Sequence, residues 1–366
     1  MGIYLVLYLV SSFFSLRKYF IEKTPRVLAL VVMVLAGLIS GSRVVTLGGY
    51  DTMVYQLMYE NTEASLLAFQ NPDYFLLKTT ERGYIFVSSV FRLLGVDFNW
   101  FLLMLGIWCA FSLYKVFSRH TVNAFLLFTI FLGKGYLYYF FTAQRQVIAM
   151  CICWLGIQYI LKRKLLPFLL IVVLASLFHT SAIVFAVVYF LPKIRLSRRS
   201  VIVLFLGSLL VGVSSLGALL GGWLSGYLPS FAATKLVGYL EGEGKGVNVL
   251  NFLEIVPVFV FVLMHRKFME ERVKNFNLFF NIYLLFIFIT LAFYNFDIIS
   301  RVKGYYLVGY IAVISAIPYA VKNRKLGFGI LIVVLLYFCA VMVRELLVFD
   351  DGEGYLPYQS FFMNYL

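Results

Sequence analysis

Long apolar runs follow one another along the chain with only short polar breaks, and nothing else about the sequence constrains its fold so tightly. Runs such as 276–296 and 326–348 reach the length of about 20 residues that a helix needs to cross a bilayer. Lipid offers no hydrogen-bond partners, so a backbone inside it must bond internally, as a helix does. Composition agrees: 13% of residues are charged and 62% hydrophobic, whereas a soluble domain would be charged at roughly a quarter of its positions. The N-terminal MGIYLVLYLVSSFFS has no basic leader and no small-residue cleavage site, and reads as the first membrane helix.

Twelve apolar segments can be marked, at 3–16, 27–46, 99–117, 122–141, 145–161, 165–178, 180–192, 200–224, 250–265, 276–296, 304–320 and 326–348, with a shorter piece at 83–95. The expected architecture is an all-α integral membrane protein, a polytopic helical bundle of about 12 transmembrane segments with broken or re-entrant helices. Residues 1–366 are expected to form a single polytopic membrane domain, with outer-face loops at about 47–98 and 225–249. Cys151 and Cys153 point to different sides of a helix, and the three histidines are far apart, so neither a disulfide nor a metal site is expected. No cofactor is expected.

The net charge of +14 is distributed by side. Clusters at 17–26, Lys115 with Arg119, 162–164, 193–199, 265–274 and 322–325 hold 20 of the 31 Lys and Arg but only three acids, Glu22, Glu270 and Glu271. Placed together on the cytoplasmic side, they make a positive-inside signature rather than a nucleic-acid surface. Both termini then face outward, and 83–95 becomes a re-entrant or interfacial piece. Residues 165–192 must leave the cytoplasmic side and return in 28 residues, in arms of only about 20 Å each. His179 sits at the apex with Thr180 and Ser181, where half-length helices are tolerated if they line a hydrated cavity.

Away from the cytoplasmic clusters, Arg43, Arg82, Arg92, Arg145, Arg301, Lys303 and Arg344 fall at or near outer helix ends. Arginine near lipid is costly, and its planar fork matches phosphate oxygens, so a lipid phosphate or diphosphate is the natural guest. In GGYDTMVYQLMYENTEA (48–64), Tyr50, Tyr55 and Tyr59 share roughly one helix face near Asp51, Glu60 and Glu63. Aromatic rings beside carboxylates suit sugars; an interfacial aromatic belt explains the tyrosines equally well. TERGYIF (80–86) offers Glu81 and Arg82 as site residues, or as a helix cap and a snorkelling cation. TAQRQVIAM (142–150) opens a helix with Gln144, Arg145 and Gln146, where an anion is already favoured. In YNFDIISRVKGYY (294–306), Arg301 is either a substrate contact or the i,i+4 partner of Asp297. His179 is a general base, a phosphate ligand or a satisfied core histidine. GEGKG (242–246) lacks the Ser or Thr and the flanking strand of a phosphate loop, and reads as a flexible outer loop.

Taken in order, these pieces resemble the EpsG family of Wzy-type bacterial polysaccharide polymerases. The resemblance rests on Arg43, Gly48, Gly49, Asp51, Tyr55, Glu81, Gly83, Arg145, Gln146, Ala149, His179, Ser181 and Ala182. The chain departs from the family pattern at Tyr50, where a small polar residue more often precedes the Asp. The resemblance implies a GT-C-like membrane glycosyltransferase at the outer face of the bacterial cytoplasmic membrane, with its active site facing outward. It would polymerise undecaprenyl-diphosphate-linked repeat units, donor and acceptor both lipid-linked, into O-antigen, capsule or exopolysaccharide. Pathway logic adds a flippase and a chain-length regulator as partners; nucleic acid is not one.

On that reading Arg145, with Arg43 and Arg301, clamps the donor diphosphate, and Arg82 and Gln146 bind substrate. His179, Asp51 or Glu81 accepts the proton of the acceptor hydroxyl, and Tyr50 and Tyr55 seat the sugars. Competing expectations are an O-antigen ligase, a membrane acyltransferase and a lipid-linked oligosaccharide flippase. An acyltransferase of this kind usually carries an early histidine, and the first 100 residues have none. A transporter predicts two related halves, and no internal repeat is visible.

Overall fold

The computed structural model describes residues 1–21, 25–66, 81–120, 122–214, 216, 219, 223, 226, 249–294, 298–348 and 354–365. The described residues are helical almost throughout, with no strand among them; one isolated backbone bridge joins Arg43 to Ser360. The chain forms two compact units, one of residues 1–183 with 321–366 and one of residues 184–320.

The first unit opens with α1 (Gly2–Phe20) and α2 (Arg26–Gly41). The expected outer loop 47–98 is itself largely helical where described, holding α3 (Tyr50–Glu60) and α4 (Arg82–Leu93). Helices α5 (Phe98–His120) and α6 (Ala124–Phe131) follow. From Leu132 the chain continues α6 as π-helical turns, Leu132–Tyr136 and Tyr138–Thr142, ending where the Ala143 N–H donates to the Tyr138 carbonyl at 2.9 Å. Helices α7 (Gln144–Leu155), α8 (Ile157–Leu161) and α9 (Leu165–Ser176) then lead to a 3-10 helix, Thr180–Tyr189. At 1.5 and 2.0 Å per residue these last two are about 18 and 20 Å long, well short of a hydrocarbon core of about 30 Å. Helix α4, at 12 residues, is equally short.

The second unit contains α10 (Arg198–Val213), α11 (Val249–Arg272), α12 (Phe276–Ala292), α13 (Ile298–Gly304) and α14 (Leu307–Ala316). Helix α12 is nearly all buried and packs against α10, α11 and α14. Asn281 on α12 donates to the Leu191 and Ile194 carbonyls at 2.8 and 3.0 Å, covering backbone left open after the 3-10 helix. The last helix, α15 (Arg324–Val348), returns to the first unit and packs on the π-helical turns.

Among the described residues, α1, α5 and α15 are long and apolar enough to cross a membrane, and six shorter apolar helices accompany them. The tightest pairing in the first unit is α2 against α5. Gly37 and Gly41 stand four apart on α2, and a Cβ on either would lie 2.6 Å from the α5 backbone, at Gly106 O and Leu103 Cα. Small residues at this spacing let two helix backbones approach where lipid supplies no hydrophobic drive.

After α15 the chain crosses back over the loop that follows α2. Tyr355 is buried against Phe141 with its ring edge-on, and its carbonyl accepts from Tyr4 Oη at 2.9 Å. The Val44 and Gly48 N–H groups donate to the Gln359 and Gly354 carbonyls at 3.1 and 3.0 Å. Nothing in the apolar pattern announced this tie. Residues 242–246 and Asp297, both singled out in the sequence, lie outside the described residues, as does most of the expected loop 225–249.

Candidate active site

Glu81 stands at the N-terminal boundary of α4, with extended backbone (φ −65°, ψ 138°) and its carbonyl already in the first helical turn. Its side chain makes no capping bond, so the capping role considered for it does not apply. The carboxylate turns instead to two other segments. Oε2 pairs with Arg145 Nη1, while Oε1 lies 3.2 Å from His179 Nδ1 and accepts from the Thr180 N–H at 3.4 Å. Residues 64 and 98 apart in sequence thus meet on one carboxylate.

The elements that hold these groups follow from local sequence. Arg145 is the second residue of α7, which the Ala143 break after the π-helical turns starts afresh. Its guanidinium carbon lies 5.4 Å from the centre of the Tyr55 ring on α3, and Tyr55 in turn faces Tyr84 on α4 at 6.0 Å. His179 follows the end of α9, its N–H donating to the Ala175 carbonyl at 3.1 Å. The Gly83 N–H donates to the Leu177 carbonyl at 2.8 Å, which seats the start of α4 against the His179 turn. A Cβ on Gly83 would lie 2.7 Å from that carbonyl oxygen, so this approach requires glycine.

The three side chains are largely buried, at 20% exposure for Arg145, 16% for Glu81 and 15% for His179. Burial alone would raise the Glu81 carboxyl above its ordinary value. The hydrogen bond to His179 and the charge of Arg145 outweigh burial and hold it down at about 2. It is therefore a carboxylate at any physiological pH. His179 Nε2 and Arg145 Nε are buried, with no hydrogen-bond partner among the described residues. The cluster thus offers a fixed cation, and an imidazole held at one nitrogen with the other unused. That is the equipment to hold an anion and to move a proton.

Other candidates lie elsewhere. Arg43 is fully buried, and its guanidinium is spent on the protein. Nε donates to Leu47 O at 2.9 Å, Nη1 to Ser40 O, and Nη2 to Phe141 O at 2.6 Å and Thr52 Oγ1 at 3.4 Å. It ties together the end of α2, the Gly48–Gly49 turn and the last π-helical turn. A small cavity of about 20 Å³, room for about one water, lies beside it, lined by Ser40, Gly106, Gln144 and Val147. Asp51 is exposed in the first turn of α3, and Arg82 is exposed at the start of α4. Gln146 is buried on α7, and only the backbone of Tyr50 is described. Arg301 is exposed on α13, in the second unit.

Tyr84 was not anticipated. It is fully buried in contact with Tyr55, with Phe101 edge-on at 6.0 Å, and stands one helical turn after Glu81. That i, i+3 spacing in TERGYIF was the available signal. Among the described residues, no three His, Cys, Asp or Glu side chains converge as metal ligands would.

The apolar helices and this buried Arg–Glu–His cluster define an all-helical membrane protein with a polar site on short helices and turns. The family model for the EpsG family matches residues 26–360, and the chain belongs to that family, one of Wzy-like polymerases. Comparison with curated proteins and with solved structures finds no match.

Proposed function

We propose that this protein is a polysaccharide polymerase of the bacterial cytoplasmic membrane, a GT-C-like glycosyltransferase that joins lipid-diphosphate-linked repeat units at the outer face. On this reading the shorter apolar helices complete a bundle of about twelve membrane segments, and α4, α9 and the His179–Thr180 turn frame a site reached from the outer side. The observation that carries the reading is the single carboxylate, Glu81, holding Arg145 and His179 together in a chain of the EpsG family.

Arg145 receives the diphosphate of the donor, its guanidinium braced on the Tyr55 ring. His179 is oriented through Nδ1 by Glu81, and its Nε2, buried with no hydrogen-bond partner among the described residues, is the nitrogen left to take the proton of the acceptor hydroxyl once substrate enters. The acceptor oxygen bonds to the anomeric carbon of the donor glycan as its proton passes to Nε2. The bond from that carbon to the diphosphate breaks, and the electron pair leaves with the diphosphate, whose charge Arg145 stabilises. The proton on His179 is then released to the departing diphosphate or to water. Glu81 is a positioning residue, since its low proton affinity makes it a poor base while it is paired. Arg43 holds the scaffold, and the exposed Asp51 and Arg82 are left to contact the glycans.

Deleting the protein in its host discriminates the readings. A polymerase predicts single repeat units on the cell surface. Repeat units trapped inside the cell would instead indicate a flippase, and long polymer held on the lipid carrier a ligase.

A further inference from the structure

Glu81 is shared between two jobs that the reaction needs at different moments. Its Oε2 occupies Arg145 Nη1, one of the donors a diphosphate would use, while Oε1 faces His179 Nδ1 and the Thr180 N–H. The guanidinium is boxed in, lying against Tyr55 with Nε buried, so it exchanges partners more readily than it moves away. A diphosphate carries more negative charge than one carboxylate and can meet the guanidinium fork with two oxygens. A displaced Glu81 is not stranded, because His179 and the Thr180 N–H still hold Oε1.

Resting on the reading above, we infer that Glu81 is a donor-operated switch: a bound diphosphate takes Arg145 from it, and the released carboxylate then bears on His179 and the Thr180 N–H. The acceptor is thereby activated only when a donor is loaded. Among the described residues, the groups facing the carboxylate are Arg145 from α7 and His179 with the Thr180 N–H; Tyr55 of α3 lies against Arg145, and Tyr84 stands beside Tyr55. With the Arg145 cation withdrawn, the full charge of the carboxylate falls on His179 Nδ1 and the Thr180 N–H. Glu81 is also, in the free protein, a competitor of the donor for Arg145. This makes an unusual demand on two residues that need not touch the diphosphate: their removal should change its affinity in opposite directions.

The test is equilibrium binding of farnesyl diphosphate to the full-length protein in phospholipid nanodiscs, for wild type, Glu81→Gln, His179→Gln and Arg145→Ala. Glu81→Gln removes a competing charge-assisted bond and should tighten binding roughly tenfold or more, while lowering turnover. His179→Gln takes away the partner that receives the displaced carboxylate and should weaken binding several-fold. Arg145→Ala should lose binding. Unchanged or weaker binding by Glu81→Gln, or unchanged binding by His179→Gln, overturns the switch. If Arg145→Ala alone binds like wild type, the donor clamp itself is wrong, and that failure is separate. If one variant does not fold, the sign of the other decides.

Discussion

Replacing Gly83 by alanine tests whether one backbone contact sets the geometry of the cluster. The added Cβ would lie 2.7 Å from Leu177 O and 2.9 Å from Leu177 Cβ, against ordinary contact at 3.4 Å. The Leu177 turn must therefore retreat by about 0.7 Å, and the main-chain bond from Gly83 stretches with it. His179 is two residues further on. Carried in line, its Nδ1 would move from 3.2 Å to about 3.9 Å from Glu81, beyond hydrogen-bond range. Overpacking of this kind costs about 1–3 kcal/mol of stability, and losing the orientation of a catalytic group by most of an ångström costs turnover on the order of tenfold to a hundredfold. Thermal unfolding and repeat-unit polymerisation, measured on the same purified protein, report both. Gly329→Ala on α15, where a Cβ meets nothing within 4 Å, is the control and should leave turnover unchanged and stability unchanged or slightly raised. Wild-type turnover by a folded Gly83→Ala protein would show that the Gly83–Leu177 contact does not set the geometry of the cluster.

Other expectations follow from the same contacts. Arg145→Lys keeps the charge but loses the fork and the flat face on Tyr55, so it should not restore polymer formation lost in Arg145→Ala. Tyr55→Ala should weaken diphosphate binding by roughly two- to fivefold through the lost cation–π contact, as titration in nanodiscs would show. Arg43→Gln should destabilise the protein by about 3 kcal/mol or more by stranding buried carbonyls, visible as loss of folded yield; a stable variant lacking only donor binding would return Arg43 to the site. The Glu81 carboxyl is held at about 2, below its ordinary 4.5. Its contribution to stability is thus in place above pH 4.5 and lost as pH falls from there toward 2. Glu81→Gln should flatten that part of the acid-unfolding profile.

Apolar runs made the helices legible, because lipid leaves a backbone few other choices, and the short arms around His179 followed from simple length arithmetic. Glu81, Arg145 and His179 were each visible as polar residues where apolar ones belong. Their meeting was not, since it depends on how α4, α7 and the turn after α9 pack, which no periodicity encodes. Arg43 shows the opposite limit. An arginine at an outer helix end reads as an anion ligand, yet three backbone carbonyls, from the end of α2, the turn beyond it and the π-helical segment, claim its guanidinium. LGKGYLYYFFT carries no signal for π-helical turns, nor does the C-terminal segment announce its return to the Arg43 loop. Twelve apolar segments also overstate what length alone supports, because several become helices too short to cross a bilayer unaided.

Reconstitution tests most directly whether this protein draws on a lipid diphosphate bond to join repeat units. Purified protein in lipid should be given synthetic polyprenyl-diphosphate oligosaccharides, with chelator and without nucleotide sugar, and the products separated on a gel. The account predicts a ladder of polymer that Arg145→Ala abolishes. No ladder, with the same lipid crossing the reconstituted bilayer, would contradict it and make the protein a transporter.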